Sequence, residues 1–209
     1  MTKLLYAPFI VAVVLATSVN AMAECPTCAK DKLENGWCDH CKVGFFDGIA
    51  MKSKKLFDAL NGKPVANADE IKCPGCKAAY EENGTCEHCK VEFANHRMYK
   101  SECAYRLALG TQKNPANMKC SECKSYIGEH GWCDQCKQGI VGMCAFHDKE
   151  AYNKAVEARE LIQCAAKAAE KCEGCAVAMV TDGTCDHCKV SFKDGKMVKN
   201  DEKKAGDKP

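Results

Sequence analysis

The run Cys25-Pro26-Thr27-Cys28-Ala29-Lys30-Asp31-Lys32-Leu33-Glu34-Asn35-Gly36-Trp37-Cys38-Asp39-His40-Cys41 decides how this chain is read. It holds two Cys-x-x-Cys pairs with nine residues between them, and the chain contains it four times. The later copies are Cys73, Cys76, Cys86 and Cys89; Cys120, Cys123, Cys133 and Cys136; and Cys172, Cys175, Cys185 and Cys188. The copies begin 48, 47 and 52 residues apart, the mark of an array built by duplication. More than cysteine repeats. Gly36, Gly84, Gly131 and Gly183 stand two residues before the third cysteine, preceded by Asn35, Asn83, His130 and Asp182. Lys42, Lys90, Lys137 and Lys189 follow the fourth cysteine, and Phe45, Phe93, Ile140 and Phe192 lie four residues beyond it.

Each feature has a mechanical reading. A Cys-x-x-Cys knuckle brings two sulfurs onto one ion and leaves backbone amides to hydrogen-bond the thiolates. Two knuckles then close a tetrahedron around a d¹⁰ ion with no further ligand. Asn-Gly and Asp-Gly are strong hairpin signals, because both central residues of a type I′ turn need positive φ. A turn at Asn35-Gly36 and its counterparts would fold the spacer back so that the second pair meets the first. Further hairpins are expected around Asp194-Gly195, over residues 190–198, and around Asp47-Gly48, over residues 45–49. The lysine after each fourth cysteine places a cation beside a doubly negative site.

These segments resemble the small zinc ribbons found singly or in pairs in many proteins. The resemblance covers about 17 residues per copy. It implies a fold element and a metal: sixteen cysteine ligands, and zinc at four sites, one per repeat. It implies nothing specific about activity. Iron is a less favoured occupant, since a rubredoxin-like site separates its knuckles much more widely. Nineteen cysteines in an exported chain also suit a disulfide framework. Against that, a bridge across Cys-x-x-Cys closes almost no loop. His40, His88 and His187 sit inside the second knuckle, but the third copy has Gln135 there with its four cysteines intact, so the histidines read as non-ligands. Trp37 and Trp132 alternate with Thr85 and Thr184, as at a half-exposed strand position. Cys103, Cys144 and Cys164 fall outside the pattern and read as buried helix or strand thiols.

The front of the chain reads as a signal peptide over residues 1–23. Met1-Thr2-Lys3 is a short positive region, residues 4–19 are largely apolar, and Ala21-Met22-Ala23 offers the small side chains a signal peptidase accepts. The expectation is an exported protein, periplasmic or secreted, with no stable membrane insertion after cleavage. Thirty Lys and Arg against 28 Asp and Glu give a formal charge of +2. Loading sixteen thiolates with four divalent ions turns that balance negative, which gives no encouragement to nucleic acid.

Helical segments are expected at residues 51–60, 101–109 and about 148–171. In the last, Tyr152, Ala155, Val156, Ile162, Ala166 and Ala169 recur at helical spacing. The fold class is then a small metal-stabilised α+β protein: four zinc-ribbon β-hairpin modules separated by short helices, with one longer helix before the last. The units are residues 24–72 (ribbon 25–41), 73–119 (ribbon 73–89), 120–171 (ribbon 120–136) and 172–198 (ribbon 172–188). A disordered charged tail, residues 199–209, follows. A site closed by four thiolates leaves no position for substrate, and no nucleophile or phosphate-loop motif occurs, so no enzyme is expected. The favoured function is a binding or scaffold module for another protein. Metal buffering or sequestration outside the cytoplasm is the alternative, and thiol–disulfide exchange a third. The mature chain is expected to begin at Glu24; N-terminal sequencing of exported material checks this, and retention of residues 1–23 would overturn it.

Overall fold

The computed structural model describes residues 25–198. The signal-peptide and charged-tail readings lie outside the described residues. Within them the chain is mixed α and β, with four small antiparallel sheets.

The first unit sets the pattern. Cys25 is the N-cap of α1 (Pro26–Glu34), with Pro26 at the first helical position, where its missing N–H costs nothing. The spacer between the knuckles is therefore a helix, and the expected hairpin at Asn35-Gly36 does not form. Asn35 instead ends α1 in the left-handed conformation, φ 54° and ψ 48°. It is one of the few side chains that tolerates that geometry. After it come β1 (Trp37–Cys38), β2 (Val43–Phe46), β3 (Ile49–Met51) and α2 (Lys54–Leu60). The expected helix over residues 51–60 thus begins later, because Met51 pairs with Gly44 as strand and Ser53 caps the helix.

The second unit repeats this order: α3 (Pro74–Glu82), β5 (Thr85–Cys86), β6 (Val91–Ala94), β7 (Arg97–Tyr99) and α4 (Glu102–Ala108), with β4 (Lys63–Pro64) leading into it. In the third, β8 (Thr111–Gln112) precedes α5 (Ser121–Ser125), β9 (His130–Cys133), β10 (Gln138–Val141), β11 (Cys144–Phe146) and the long α6 (Lys149–Ala169). The fourth has α7 (Glu173–Val180), β12 (Thr184–Cys185), β13 (Val190–Lys193) and β14 (Lys196–Val198). The hairpins expected around Asp47-Gly48 and Asp194-Gly195 form, with positive φ at both central residues of each.

Units are stitched by strand addition. β4 follows α2 and pairs with β7 of the second unit, Lys63 opposite Met98; β8 follows α4 and likewise pairs with β11 of the third. Arg97 strengthens the first stitch by donating to the carbonyls of Asn61 at 2.8 Å and Gly62 at 3.1 Å. The fourth unit is joined by α6 instead.

One core runs through all four units. It contains Phe46, Leu56 and Leu60 from the first, Tyr99 and Leu107 from the second, Phe146 and Ile162 from the third, and Ala176 and Val180 from the fourth. Its axis is α6, whose buried stripe is Ala155, Ala158, Ile162 and Ala165. Three alanines in that stripe let α4 and α7 pack closely on it. Tyr152, Val156, Ala166 and Ala169 flank the stripe, half-buried.

The same helix carries a buried ion pair. Asp47, at the tip of the first hairpin, is 2 % exposed, and Arg159 is 4 % exposed. Arg159 Nη1 donates to the Asp47 carboxylate at 3.0 Å and to its carbonyl at 2.7 Å, and Nη2 donates to the Gly128 carbonyl. The other carboxylate oxygen of Asp47 accepts from the Met143 N–H at 2.7 Å. Burial pushes the Asp47 carboxyl up to about 6, against the pull of the Met143 amide and the Arg159 cation. Arg159→Met should leave that carboxylate buried and uncompensated, at a cost of about 3–5 kcal/mol. Denaturant unfolding of the metal-loaded variant checks it, and a loss within about 0.5 kcal/mol, as at an ordinary surface site, would show that the pair is dispensable.

Candidate metal centres

Helix and hairpin together build each cysteine tetrad. The first knuckle occupies the N-terminus of α1, α3, α5 or α7, and the second bridges two strands of the sheet. They meet because of a clamp that recurs in three units. The αL residue after the helix accepts, through its side chain, the N–H at the tip of the distal hairpin: Asn35 from Asp47 at 2.7 Å, Asn83 from Asn95 at 3.0 Å, and Asp182 from Asp194 at 2.8 Å. The next glycine donates back into the helix, Gly36 to Asp31, Gly84 to Ala79 and Gly183 to Ala178, at 2.8, 2.8 and 2.9 Å. Its carbonyl then accepts from the Phe45, Phe93 or Phe192 N–H. The repeated Asn/Asp-Gly is therefore a helix stop and hairpin clamp. The third unit lacks it: α5 is short, Gly128 takes the positive φ, and β9 runs straight through His130 and Gly131.

Four tetrads result: Cys25, Cys28, Cys38 and Cys41; Cys73, Cys76, Cys86 and Cys89; Cys120, Cys123, Cys133 and Cys136; Cys172, Cys175, Cys185 and Cys188. The sulfurs of each lie within 4.8 Å of one another. Individual separations are 3.3 Å for Cys25–Cys28, 3.6 Å for Cys25–Cys38 and Cys25–Cys41, 3.9 Å for Cys73–Cys86 and Cys120–Cys133, and 3.7 Å for Cys172–Cys185. A tetrahedral thiolate site with metal–sulfur bonds of about 2.3 Å needs edges of about 3.8 Å, so the donor set fits one divalent ion per unit.

The sulfurs titrate apart. Cys25, Cys73 and Cys172 are drawn down to about 6, and Cys120 to about 7, first because the backbone N–H three residues on points at each sulfur. Each stands at a helix N-terminus, where the peptide dipoles favour the thiolate form. Cys76 and Cys175 are pushed up, first by burial, and Cys28 first by the Cys25 sulfur. Loading an ion must therefore expel protons from these partners. Cys38, Cys86, Cys133 and Cys185 are buried, whereas the fourth cysteines, Cys41, Cys89, Cys136 and Cys188, reach solvent.

Other residues singled out in the sequence fall into place. His40, His88 and His187 sit with Nδ1 3.6, 3.5 and 3.4 Å from the Cys41, Cys89 and Cys188 sulfurs. They lie beside the fourth cysteine and outside the sulfur tetrads. Trp37 and Trp132 are half-buried strand residues. Each packs 5.5 Å from an aromatic ring of the following helix, Phe57 and Tyr152. Those rings cover Gly44 and Gly139, where an added Cβ would lie 2.5 and 2.1 Å from them. Cys103 and Cys144 are buried as expected, and burial pushes the Cys103 thiol up to about 11. Cys164 is exposed on α6, contrary to the expectation of a buried thiol, because it lies off the alanine stripe.

Gly75 and Gly174 were invisible as site residues. An added Cβ at Gly174 would lie 2.8 Å from the Cys185 sulfur, and one at Gly75 3.1 Å from Cys86. Gly174→Ala should therefore lower the metal content of the fourth unit more than Gly75→Ala lowers that of the second. Metal titration of both variants checks the ranking, and equal, unaltered contents would refute it. Comparison of the chain with family models, curated proteins and solved structures finds no match.

Proposed function

We propose that this chain is an exported zinc protein, a non-enzymatic scaffold whose four structural zinc ions hold a surface for another protein. The observation that carries this reading is the set of four tetrads, one per unit, each composed of thiolates alone. Four sulfurs satisfy a tetrahedral d¹⁰ ion and leave no position for water or substrate, which supports a structural and not a catalytic ion. The shared core supports a scaffold, since the units pack on α6 as one body. The signal-peptide pattern of residues 1–23 supports export. Among the described residues no helix is long and apolar enough to cross a membrane.

A second reading, a metal buffer, has one observation in its favour: Cys41, Cys89, Cys136 and Cys188 are open to solvent, where a competing ligand could begin exchange. Thiol–disulfide exchange fits less well, because four sulfurs converge where a redox dithiol needs two.

Native mass spectrometry of exported protein should find four zinc ions per chain and all cysteines reduced. Cys86→Ser should leave three ions, with a lowered melting temperature because the second unit contributes to the common core. Protein that arrives metal-free, with thiols oxidised in pairs and unmoved by chelator, would overturn the reading in favour of a disulfide framework. Slow isotope exchange of the bound ions would then favour scaffold, and exchange within minutes a buffer.

A further inference from the structure

The third tetrad differs from the other three in its surroundings. The second spacer residue of the first knuckle is Thr27, Gly75 and Gly174 in units one, two and four, and Glu122 in unit three. Glu122 Oε2 lies 3.0 Å from the Cys133 sulfur, while Oε1 accepts from the Tyr126 hydroxyl at 3.2 Å, which holds the carboxylate in place. Cys133 is 0 % exposed, so little water screens the contact. Two further differences accompany it. Gln135 replaces the histidine that meets the outer sulfur elsewhere, and Gln138 replaces the valine of Val43, Val91 and Val190, donating to the Cys123 sulfur at 3.3 Å. The other acidic residue inside a first knuckle, Glu173, is turned to Lys55 at 3.7 Å.

We propose, resting on the metal reading above, that Glu122 makes the third unit the exchangeable site of the four: it holds its divalent ion least tightly and yields it first. As a thiol, Cys133 donates its proton to the Glu122 carboxylate. With an ion on that sulfur, the Glu122 carboxylate oxygen 3.0 Å away faces a negatively charged ligand atom. A unit charge at that distance outweighs the amide dipole that Gln138 offers Cys123. In the third unit backbone replaces the side-chain clamp of the others, the Gly142 N–H donating to the Glu129 carbonyl at 2.7 Å, so the difference between the sites lies in Glu122 and its neighbours.

The test is chelator competition on the full zinc-loaded chain, with cysteine alkylation and peptide mass mapping to show which tetrad opens. In the wild type, Cys120, Cys123, Cys133 and Cys136 should be alkylated about tenfold faster than the other twelve tetrad cysteines. Glu122→Gln keeps the size and the Tyr126 contact and removes the charge; it should slow the third unit to the pace of the others. Gln135→His, remote from any packing role, should slow it by a smaller factor. Simultaneous opening of all four tetrads in the wild type would overturn the proposal. So would a third unit that opens first and equally fast in both variants. A wild-type chain that takes up no zinc even on reconstitution would sink the metal reading itself, a result distinct from four ions leaving together.

Discussion

Four thiolates around a divalent ion leave a net charge of −2, and the local structure of every unit is shaped by having to hold that charge. The first cysteine solves part of the problem by standing at the N-cap of a helix, beside unpaired N–H groups, and in the first unit the Cys25 sulfur accepts from the Cys28 N–H at 3.3 Å. The third cysteine accepts from the N–H three residues on, at 3.4 to 3.5 Å in units one, three and four. A histidine reaches the fourth sulfur in three units. The lysine that follows adopts φ near 50° in all four, so it supplies the reversal that lets the next strand begin. Its cation is shared with the knuckle's own carboxylate, Lys42 with Asp39 at 3.6 Å and Lys90 with Glu87 at 3.0 Å.

A tetrad fixes only its own knuckles. Beneath it lies a small apolar cluster, such as Phe93 with Cys76, Cys86 and Ala79, or Phe192 with Cys185 and Ala178. Clusters of that size do not offset the entropy of ordering some fifty residues each. The chain has two means of meeting the shortfall, an ion that each tetrad could hold and a core between units. The alanine stripe of α6 brings helices together, and Arg159 ties the tip of the first hairpin, at Asp47, to the turn between α5 and β9, at Gly128. A cationic fork among alanines is a demanding device, but it makes that one arrangement of hairpins the satisfied one.

The repeat, the cysteine sets, the distal hairpins and the long helix could all be read from residue spacing. Spacing carries those directly: two-plus-two sulfurs, Asp-Gly turns, and apolar recurrence over twenty residues. The helix inside each knuckle spacer could not, since Ala29 to Glu34 is short, charged and weakly periodic, and Asn35-Gly36 satisfies hairpin and helix-stop chemistry alike. What decides between them is the Asn35 side chain reaching the tip of a hairpin twelve residues on, a contact that exists only in the folded unit. The same holds for Arg159, which in sequence is one more charge on a charged helix. Glu122 was hidden for a different reason. The ligand positions are identical in all four units, and the distinction lies in what fills a gap between them.

Metal and packing are consequently coupled here in a way that a string of independent fingers would not show. The helix that follows each second knuckle in the first three units, α2, α4 or α6, contributes directly to the common core. A unit that loses its ion therefore loosens core residues that its neighbours also use. Opening any tetrad would thus cost part of the whole body. The third differs locally in that α5 is a single short turn of helix and β9 is longer, pairing with β10 over four residues. Yet it also carries α6. If that unit does yield its ion first, the event acts on the element that every other unit leans on, so the chemistry at Glu122 and the packing along α6 are parts of one mechanical circuit.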